Sequence, residues 1–163
     1  MQGNSHATTR RSWEEPRLVR KIKSKRRESV YRSRAALLTR GELVFFWSLR
    51  GAVASRCLIM CKVRLADAVT CSEAEWRAGA GNAISQKHLD FVLCDAHSTR
   101  FLVAIELDDR SHARPERRRR DRFVEQALSQ AGIRLIRFRA RSKYCKHEIR
   151  NQLDEVLASC EAV

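Results

Sequence analysis

Two short apolar runs near the middle of the chain constrain its fold more than any other feature. The runs "HLDFVLCD" and "RFLVAIELD" lie within residues 88–108, and the polar segment "AHST" joins them. Apolar runs of this length that are bounded by a short polar connection are typical of two β-strands joined by a turn. The sequence therefore predicts a β-hairpin at the centre of the chain.

A helix and a further strand are predicted before this hairpin. The segment "TRGELVFFWSLRGAVA" has helical spacing of its apolar residues, and Thr39 and Glu42 form a capping box at its start. The segment "CLIMCKVRLADAV" alternates between apolar and polar residues, which predicts a half-buried strand. The residues predicted to share the buried face of this strand are Ile59, Cys61, Val63 and Leu65.

A helix, a strand and a last helix are predicted after the hairpin. Pro115 starts the first helix and Gly132 is expected to end it, whereas residues 66–87 have no clear pattern. The strand is "IRLIRFRA" and the last helix is "HEIRNQLDEVLASC". The order helix, strand, strand, strand, helix, strand, helix predicts an α/β fold, in which a mixed β-sheet is flanked by helices.

The charge of the chain is concentrated in two segments. Lys and Arg number 33 against 19 Asp and Glu, which gives a net charge of +14. Residues 1–34 hold eleven basic residues and three acidic ones, a net +8, and are predicted to be a disordered basic arm. Residues 110–122 hold seven Arg and two acids, a net +5. We therefore expect a folded domain over residues 35–163 and a polyanionic partner, most simply nucleic acid.

The chain is expected to act in the cytoplasm. No apolar run approaches the ~20 residues that span a bilayer, so no transmembrane helix is predicted. An anionic membrane surface is the weaker alternative to nucleic acid, since no basic amphipathic helix with a large apolar face stands out, and no membrane partner is predicted. The first residues lack the apolar core of a secretory signal. The six cysteines are therefore expected to be reduced thiols, and they lack the paired spacing of zinc sites.

Carboxylates interrupt the two apolar strands of the hairpin. Glu106 and Asp108 are two residues apart and share a face, and Asp90 joins them only if the hairpin pairs Asp90 with Glu106. A register shifted by one residue would place Asp90 on the opposite face, and the sequence does not fix the register. Converging carboxylates repel one another unless a cation lies among them. Mg²⁺ or Mn²⁺ held there would favour hydrolysis of phosphodiester bonds.

Several separate motifs resemble a known family. Residues 35 to about 157 resemble the bacterial family called domain of unknown function 2726, in the segments "LLTRGELVFFWSLR", "VRLAD", "ISQKHLDFVLCD", "AIELDDRSH", "RDRFVEQALSQAGI" and "LIRFRA". The carboxylate spacing on a hairpin after a helix with Glu is similar to the PD-(D/E)xK nuclease superfamily and to very-short-patch-repair-like endonucleases. The resemblance implies a restriction-endonuclease-like fold and divalent-metal nuclease chemistry. DNA is the expected substrate, although the sequence does not decide between DNA and RNA.

The resemblance also implies roles for individual residues. Asp90 and Glu106 would be metal ligands, and Glu42 would be the acidic residue of the helix near the metal. Asp108 stands where the superfamily usually has a catalytic Lys, so that it either adds a metal ligand or leaves the positive charge to Lys87 or His112. Each of these residues also has a structural interpretation, and for Glu42 it is the capping box.

The arginines of the chain are candidates for phosphate contacts. Arg117, Arg118, Arg119 and Arg120 form a run near the start of a predicted helix. Arg134 and Arg137 have opposite parity on their strand, so at most one of them, taken here as Arg137, faces the carboxylates.

The sequence supports three hypotheses about the function of the protein. The first is a metal-dependent nuclease, and the second is a catalytically inactive nuclease-fold module that binds nucleic acid. The third is a basic protein that binds anions and has no site, which would disperse Asp90 and Glu106 over opposite faces of the sheet. The absence of the usual Lys favours the second hypothesis, and the presence of Asp90 and Glu106 favours the first.

Overall fold

A computed structural model describes residues 30–108 and 115–160 of the chain, except for the side chains of residues 115–117, 159 and 160. All the helices and strands that it describes lie in the unit Ala35–Val163. In chain order they are α1 Arg40–Val53, β1 Cys57–Arg64, α2 Leu65–Ala68, α3 Glu73–Arg77, α4 Ala80–Ser85, β2 His88–Asp95, β3 Phe101–Asp108, α5 Pro115–Gln130, β4 Arg134–Arg139 and α6 Lys146–Cys160.

The four strands form one mixed sheet in the order β1-β2-β3-β4. Strand β2 pairs antiparallel with β1 and β3, and β3 pairs parallel with β4. The predicted hairpin is present, and its turn is stabilised by Asp95, whose carboxylate accepts hydrogen bonds from the backbone N–H groups of His97 and Ser98. Helix α5 makes the long connection that two parallel strands require. The predicted α/β class is thus confirmed.

Helices cover both faces of the sheet, and each face has its own apolar cluster. Side chains from α1 and α6 pack on one face against Phe91, Ile105 and their neighbours. Side chains from α2, α4 and α5 pack on the other face against Val92, Ala104 and their neighbours. Because Ala104 and Ile105 are adjacent on β3, their membership of different clusters follows from the alternation of a strand. The domain therefore has three layers, helix, sheet and helix.

Helix α1 forms as its sequence predicts. The Thr39 hydroxyl accepts a hydrogen bond from the Glu42 N–H, and the Glu42 carboxylate accepts one from the Thr39 N–H at 2.8 Å. Phe45, Leu49 and Val53 recur every four residues and are fully buried. The cap fixes where the helix begins, and the apolar stripe fixes which face packs on the sheet. These contacts hold Glu42 in the first turn of α1.

The predicted alternation of β1 is wrong after Cys61. Ile59 and Cys61 pack with the α1 and α6 cluster, whereas Val63 packs with the cluster on the opposite face. The cause is Lys62, whose φ of +56° breaks the regular extended backbone. Leu65, which the alternation predicts to lie in the strand, begins α2 instead.

Three short helices occupy the segment that had no clear pattern. They are α2, α3 and α4, of four to six residues each, and Ser72 and Glu75 form a capping box at the start of α3. Helices this short have little periodicity to recognise. No helix among residues 30–108 and 115–160 combines the length and apolar character needed to cross a membrane.

The predicted basic arm lies almost wholly outside the described residues. Only residues 30–34 of residues 1–34 are described, and they form neither helix nor strand. His112 and the other residues of 110–114 also lie outside the described residues, whereas residues 115–122 of the basic segment form the first part of α5. The predictions that concern these residues therefore stay predictions.

Candidate functional site

A polar cavity of about 660 Å³ opens where α1, the hairpin and α5 meet. Helix α1 contributes its first turn, β1, β2 and β3 contribute side chains from one end of the sheet, and α5 contributes its N-terminal half. The lining residues are Thr39, Gly41, Glu42, Lys62, His88, Asp90, Glu106, Leu107, Arg120, Asp121 and Ala140. Acidic and basic side chains thus face one another in a single space.

The register of the hairpin brings Asp90 and Glu106 together. Phe91 pairs with Ile105 in this antiparallel pair, so Asp90, the residue before Phe91, lies across from Glu106, the residue after Ile105. This is the register on which the predicted carboxylate site depended. The Leu107 N–H also donates a hydrogen bond to Asp90 Oδ2 at 3.0 Å, which fixes the Asp90 side chain against β3. Asp90 and Glu106 are therefore not dispersed over opposite faces, which is what the hypothesis without a site required.

Glu106 is the most perturbed acidic group of the cavity. Its Oε1 atom is buried and has no hydrogen-bond partner among the described residues. Burial, and then the negative charge of Asp90, raise the pKa of Glu106 from 4.5 to about 7, although Arg120 and Arg137 act in the opposite direction. A buried carboxylate oxygen without a partner is costly. Ionisable groups with perturbed pKa values cluster at functional sites.

A lysine that sequence reasoning did not select bridges two of the carboxylates. The Lys62 ammonium donates hydrogen bonds to Glu42 Oε1 at 2.6 Å and to Asp90 Oδ1 at 2.8 Å. All three side chains are half-buried. The pairs Cys61 with Phe91 and Val63 with Leu89 place Lys62 across from Asp90. The sequence had Lys62 on the polar side of β1, but it did not give the register of β1 against β2.

Glu42 both caps α1 and lines the cavity, and its predicted role near a metal stays a prediction. Its Oε2 atom accepts the capping hydrogen bond from Thr39, and its Oε1 atom accepts the one from Lys62. Burial would raise the pKa of Glu42, but the hydrogen bonds from Lys62 and Thr39 outweigh it and hold that pKa below its ordinary value. Glu42 is therefore ionised in the cavity at neutral pH.

Asp108 is not brought into the cavity with the other carboxylates. Its Oδ1 atom accepts a hydrogen bond from the Arg137 guanidinium at 3.2 Å, and Asp108 is absent from the cavity lining. Arg137 also donates to the Asp121 carbonyl at 3.4 Å, and so joins β4 to α5. Arg134 is exposed, whereas Arg137 lies near Asp108 and Glu106, so that one of the two arginines is near the carboxylates.

The other predicted cations separate into those in the cavity and those outside it. Arg120 lines the cavity and donates to the His88 carbonyl at 3.4 Å, whereas Arg118 and Arg119 are exposed. The Arg117 side chain lies outside the described residues. The Lys87 ammonium lies 5.8 Å from the centroid of the Phe123 ring and does not line the cavity. Lys62, rather than Lys87, therefore supplies the ammonium group of the site.

The carboxylates of the cavity fit a hard divalent cation with few protein ligands. Residues 30–108 and 115–160 contain no group of three or more His, Cys, Asp or Glu side chains arranged to hold a metal. Mg²⁺ needs fewer, because it is usually bound by one or two carboxylates, water and the oxygens of a substrate phosphate. Asp90 and Glu106 provide two carboxylates, and the unpartnered Oε1 of Glu106 is an oxygen that a cation would satisfy.

The fold and the cavity define a mixed α/β protein with an acidic site at one end of its sheet, rimmed by basic side chains. Comparison with known proteins places it more narrowly. The chain belongs to the family described as "Protein of unknown function (DUF2726)", whose model matches residues 34–157. No curated protein and no solved structure matches the chain.

Proposed function

We propose that this protein is a divalent-metal-dependent nuclease that hydrolyses phosphodiester bonds of nucleic acid, with DNA as the first substrate to test. The observation that carries the proposal is the buried, unpartnered Oε1 of Glu106 in the same cavity as Asp90. The proposal includes membership of the PD-(D/E)xK superfamily and likeness to very-short-patch-repair-like endonucleases, which rest on the sequence motifs. The arrangement of α1, the hairpin and the parallel strand β4 is compatible with it.

The acidic residues of the cavity would bind the metal, and a basic residue would bind the nucleic acid. Asp90 and Glu106 would hold Mg²⁺ or Mn²⁺, which supplies activation of water and stabilisation of charge on a phosphate. The Arg120 guanidinium, which lines the cavity, would bind a phosphate oxygen of the nucleic acid backbone, since guanidinium groups match phosphate geometry. The net charge of +14 would attract the polyanion and make binding depend on salt.

A second candidate function is a module that binds nucleic acid and does not cut it. The observation in its favour is that Glu42 and Asp90 already share a cation, the Lys62 ammonium. Asp108, where the superfamily usually has its catalytic Lys, pairs with Arg137 instead. This candidate predicts salt-sensitive binding that is indifferent to divalent metal.

Cleavage assays separate the two candidates. Wild-type protein is incubated with single- and double-stranded DNA and RNA in Mg²⁺, in Mn²⁺ and with a chelator. We expect cleavage of at least one substrate that requires the cation and that Asp90→Asn loses. The matched control is Glu73→Gln, which removes a negative charge from a side chain that is 78% exposed, and it should cut normally. Binding of all substrates without cleavage in either metal would favour the binding module.

Arg120→Ala is expected to weaken nucleic-acid binding about tenfold, which is the contribution of one charge-assisted hydrogen bond. Because one phosphate contact is lost, the slope of log affinity against log salt should fall by about 1. The measurement is fluorescence anisotropy at several salt concentrations. Arg77→Ala is the control, because Arg77 is exposed and pairs with Glu73 away from the cavity lining. Equal slopes for Arg120→Ala and the wild type would exclude Arg120 from the interface.

A further inference from the structure

The Lys62 ammonium lies between two carboxylates of the cavity. It lies 2.6 Å from Glu42 Oε1 and 2.8 Å from Asp90 Oδ1, and both partners line the cavity. Glu42 comes from α1, Lys62 from β1 and Asp90 from β2. A single positive charge therefore links three elements and offsets the repulsion between two acidic groups.

The backbone of Lys62 is strained in a way that supports a specific role. Its φ is +56°, a conformation that costs a residue with a Cβ atom about 1–2 kcal/mol and that glycine adopts freely. Lys62 lies inside an eight-residue strand and opposite Asp90, where the side-chain alternation of both strands is interrupted. A strained residue persists where its surroundings determine its position, and such residues cluster at functional sites. Here the strain coincides with the two ion pairs.

We infer that Lys62 is an internal cation of the site, which neutralises Glu42 and Asp90 until a divalent cation competes with it for Asp90. The inference rests on the metal site of the proposed function and adds a regulation to it. In the metal-free protein Lys62 would hold the carboxylates in place. When the divalent cation binds, the Lys62 ammonium would lose its hydrogen bond to Asp90 Oδ1 and retain the one to Glu42.

The test is the affinity for Mn²⁺, measured by calorimetry without any nucleic acid. Lys62→Met removes the charge and keeps most of the side-chain volume. Lys62→Gly removes the charge and suits the positive φ, so it provides a variant that folds without backbone strain. Lys62→Arg keeps the charge, and Arg77→Met removes a positive charge from an exposed residue that does not line the cavity. Circular dichroism verifies the fold of each variant.

We expect both neutral variants to bind Mn²⁺ at least about tenfold more tightly than the wild type, because a like charge beside the metal has been removed. Lys62→Arg and Arg77→Met should remain within about threefold of the wild type, since neither removes the charge next to Asp90. Equal or weaker binding by the folded neutral variants would overturn the inference.

The outcomes for Lys62 and for the proposed function are distinguishable. Binding by the wild type that the neutral variants do not improve would overturn the role of Lys62 and leave the metal site standing. Binding by the neutral variants alone would support Lys62 as the internal cation and contradict a metal-dependent activity of the wild type. Absence of binding in every variant would overturn both.

Discussion

Glu106→Gln is expected to raise the free energy of unfolding at pH 8 by up to about 3 kcal/mol while it removes divalent-dependent cleavage. The stability gain follows from the pKa of Glu106, which is about 7 in the folded protein and ordinarily 4.5. Each unit of difference corresponds to about 1.4 kcal/mol. Gln cannot ionise, so the variant avoids placing an uncompensated charge in the cavity.

The sign of the pH dependence distinguishes this effect from a general change of packing. Between pH 4.5 and 7 the folded wild type binds more protons than the unfolded chain, because burial keeps Glu106 protonated. The stability associated with the protonated group is complete below pH 4.5 and is lost as the pH rises through 7. Denaturation in chelator should therefore show little advantage of Glu106→Gln at pH 4.5 and the full advantage at pH 8.

The activity of Glu106→Gln supplies the other half of this prediction. Residues that only support metal ligands cost 10–100-fold when removed, so the loss of a ligand should lower the cleavage rate at least about a hundredfold. Glu73→Gln serves again as the control for removal of a charge, and neither its stability nor its activity should change at pH 8. If Glu106→Gln were no more stable than the wild type at pH 8, the account of Glu106 would be contradicted.

Phe45→Ala is expected to cost about 3–5 kcal/mol of stability, the usual range for a buried Phe. The Phe45 side chain is fully buried, and its ring centroid lies 5.0–5.4 Å from those of Phe91, Phe138 and Tyr144. It therefore joins α1 to β2, to β4 and to the residues before α6. A cavity left here loosens the helix that carries Glu42.

Trp47→Ala is the control for Phe45→Ala because it removes an aromatic side chain from the same helix. Trp47 is 57% exposed, so its loss should cost less than about 1 kcal/mol. Urea denaturation at one pH measures both variants. If Phe45→Ala were as stable as Trp47→Ala, the packing of α1 on the sheet would differ from the one described.

The fold followed from local patterns that the sequence displays directly. The capping box of Thr39 and Glu42, the hairpin signal around "AHST" and the glycine after α5 each depend on neighbouring residues. Gly132 has the positive φ that such a helix end requires. The three short helices between β1 and β2 were missed, because segments of four to six residues do not display a period.

The site was predictable only as far as residue types define it. Asp90 and Glu106 stand out because carboxylates are unusual in apolar strands, and the pairing of β2 with β3 brings them together. Lys62 did not stand out, because a Lys on the polar side of a strand is ordinary. Its contacts depend on the pairing of β1 with β2 and on a backbone irregularity, and neither is encoded in a local pattern.

Asp108 on β3 does not join the carboxylates of the cavity. Asp108 pairs with Arg137 on β4, which removes it from the carboxylates of the cavity. The ammonium group arrives instead from β1, through Lys62. The ammonium group of the cavity thus comes from β1, which β2 separates from β3 in the sheet.

The most direct test of the central claim is a calorimetric titration with Mn²⁺. It compares the wild type with the double variant Asp90→Asn, Glu106→Gln. The claim is that these two carboxylates jointly hold a divalent cation. It predicts saturable binding of Mn²⁺ by the wild type and loss of that binding in the double variant, whose fold is verified by circular dichroism. Binding of equal strength by both proteins, or none by either protein, would contradict it.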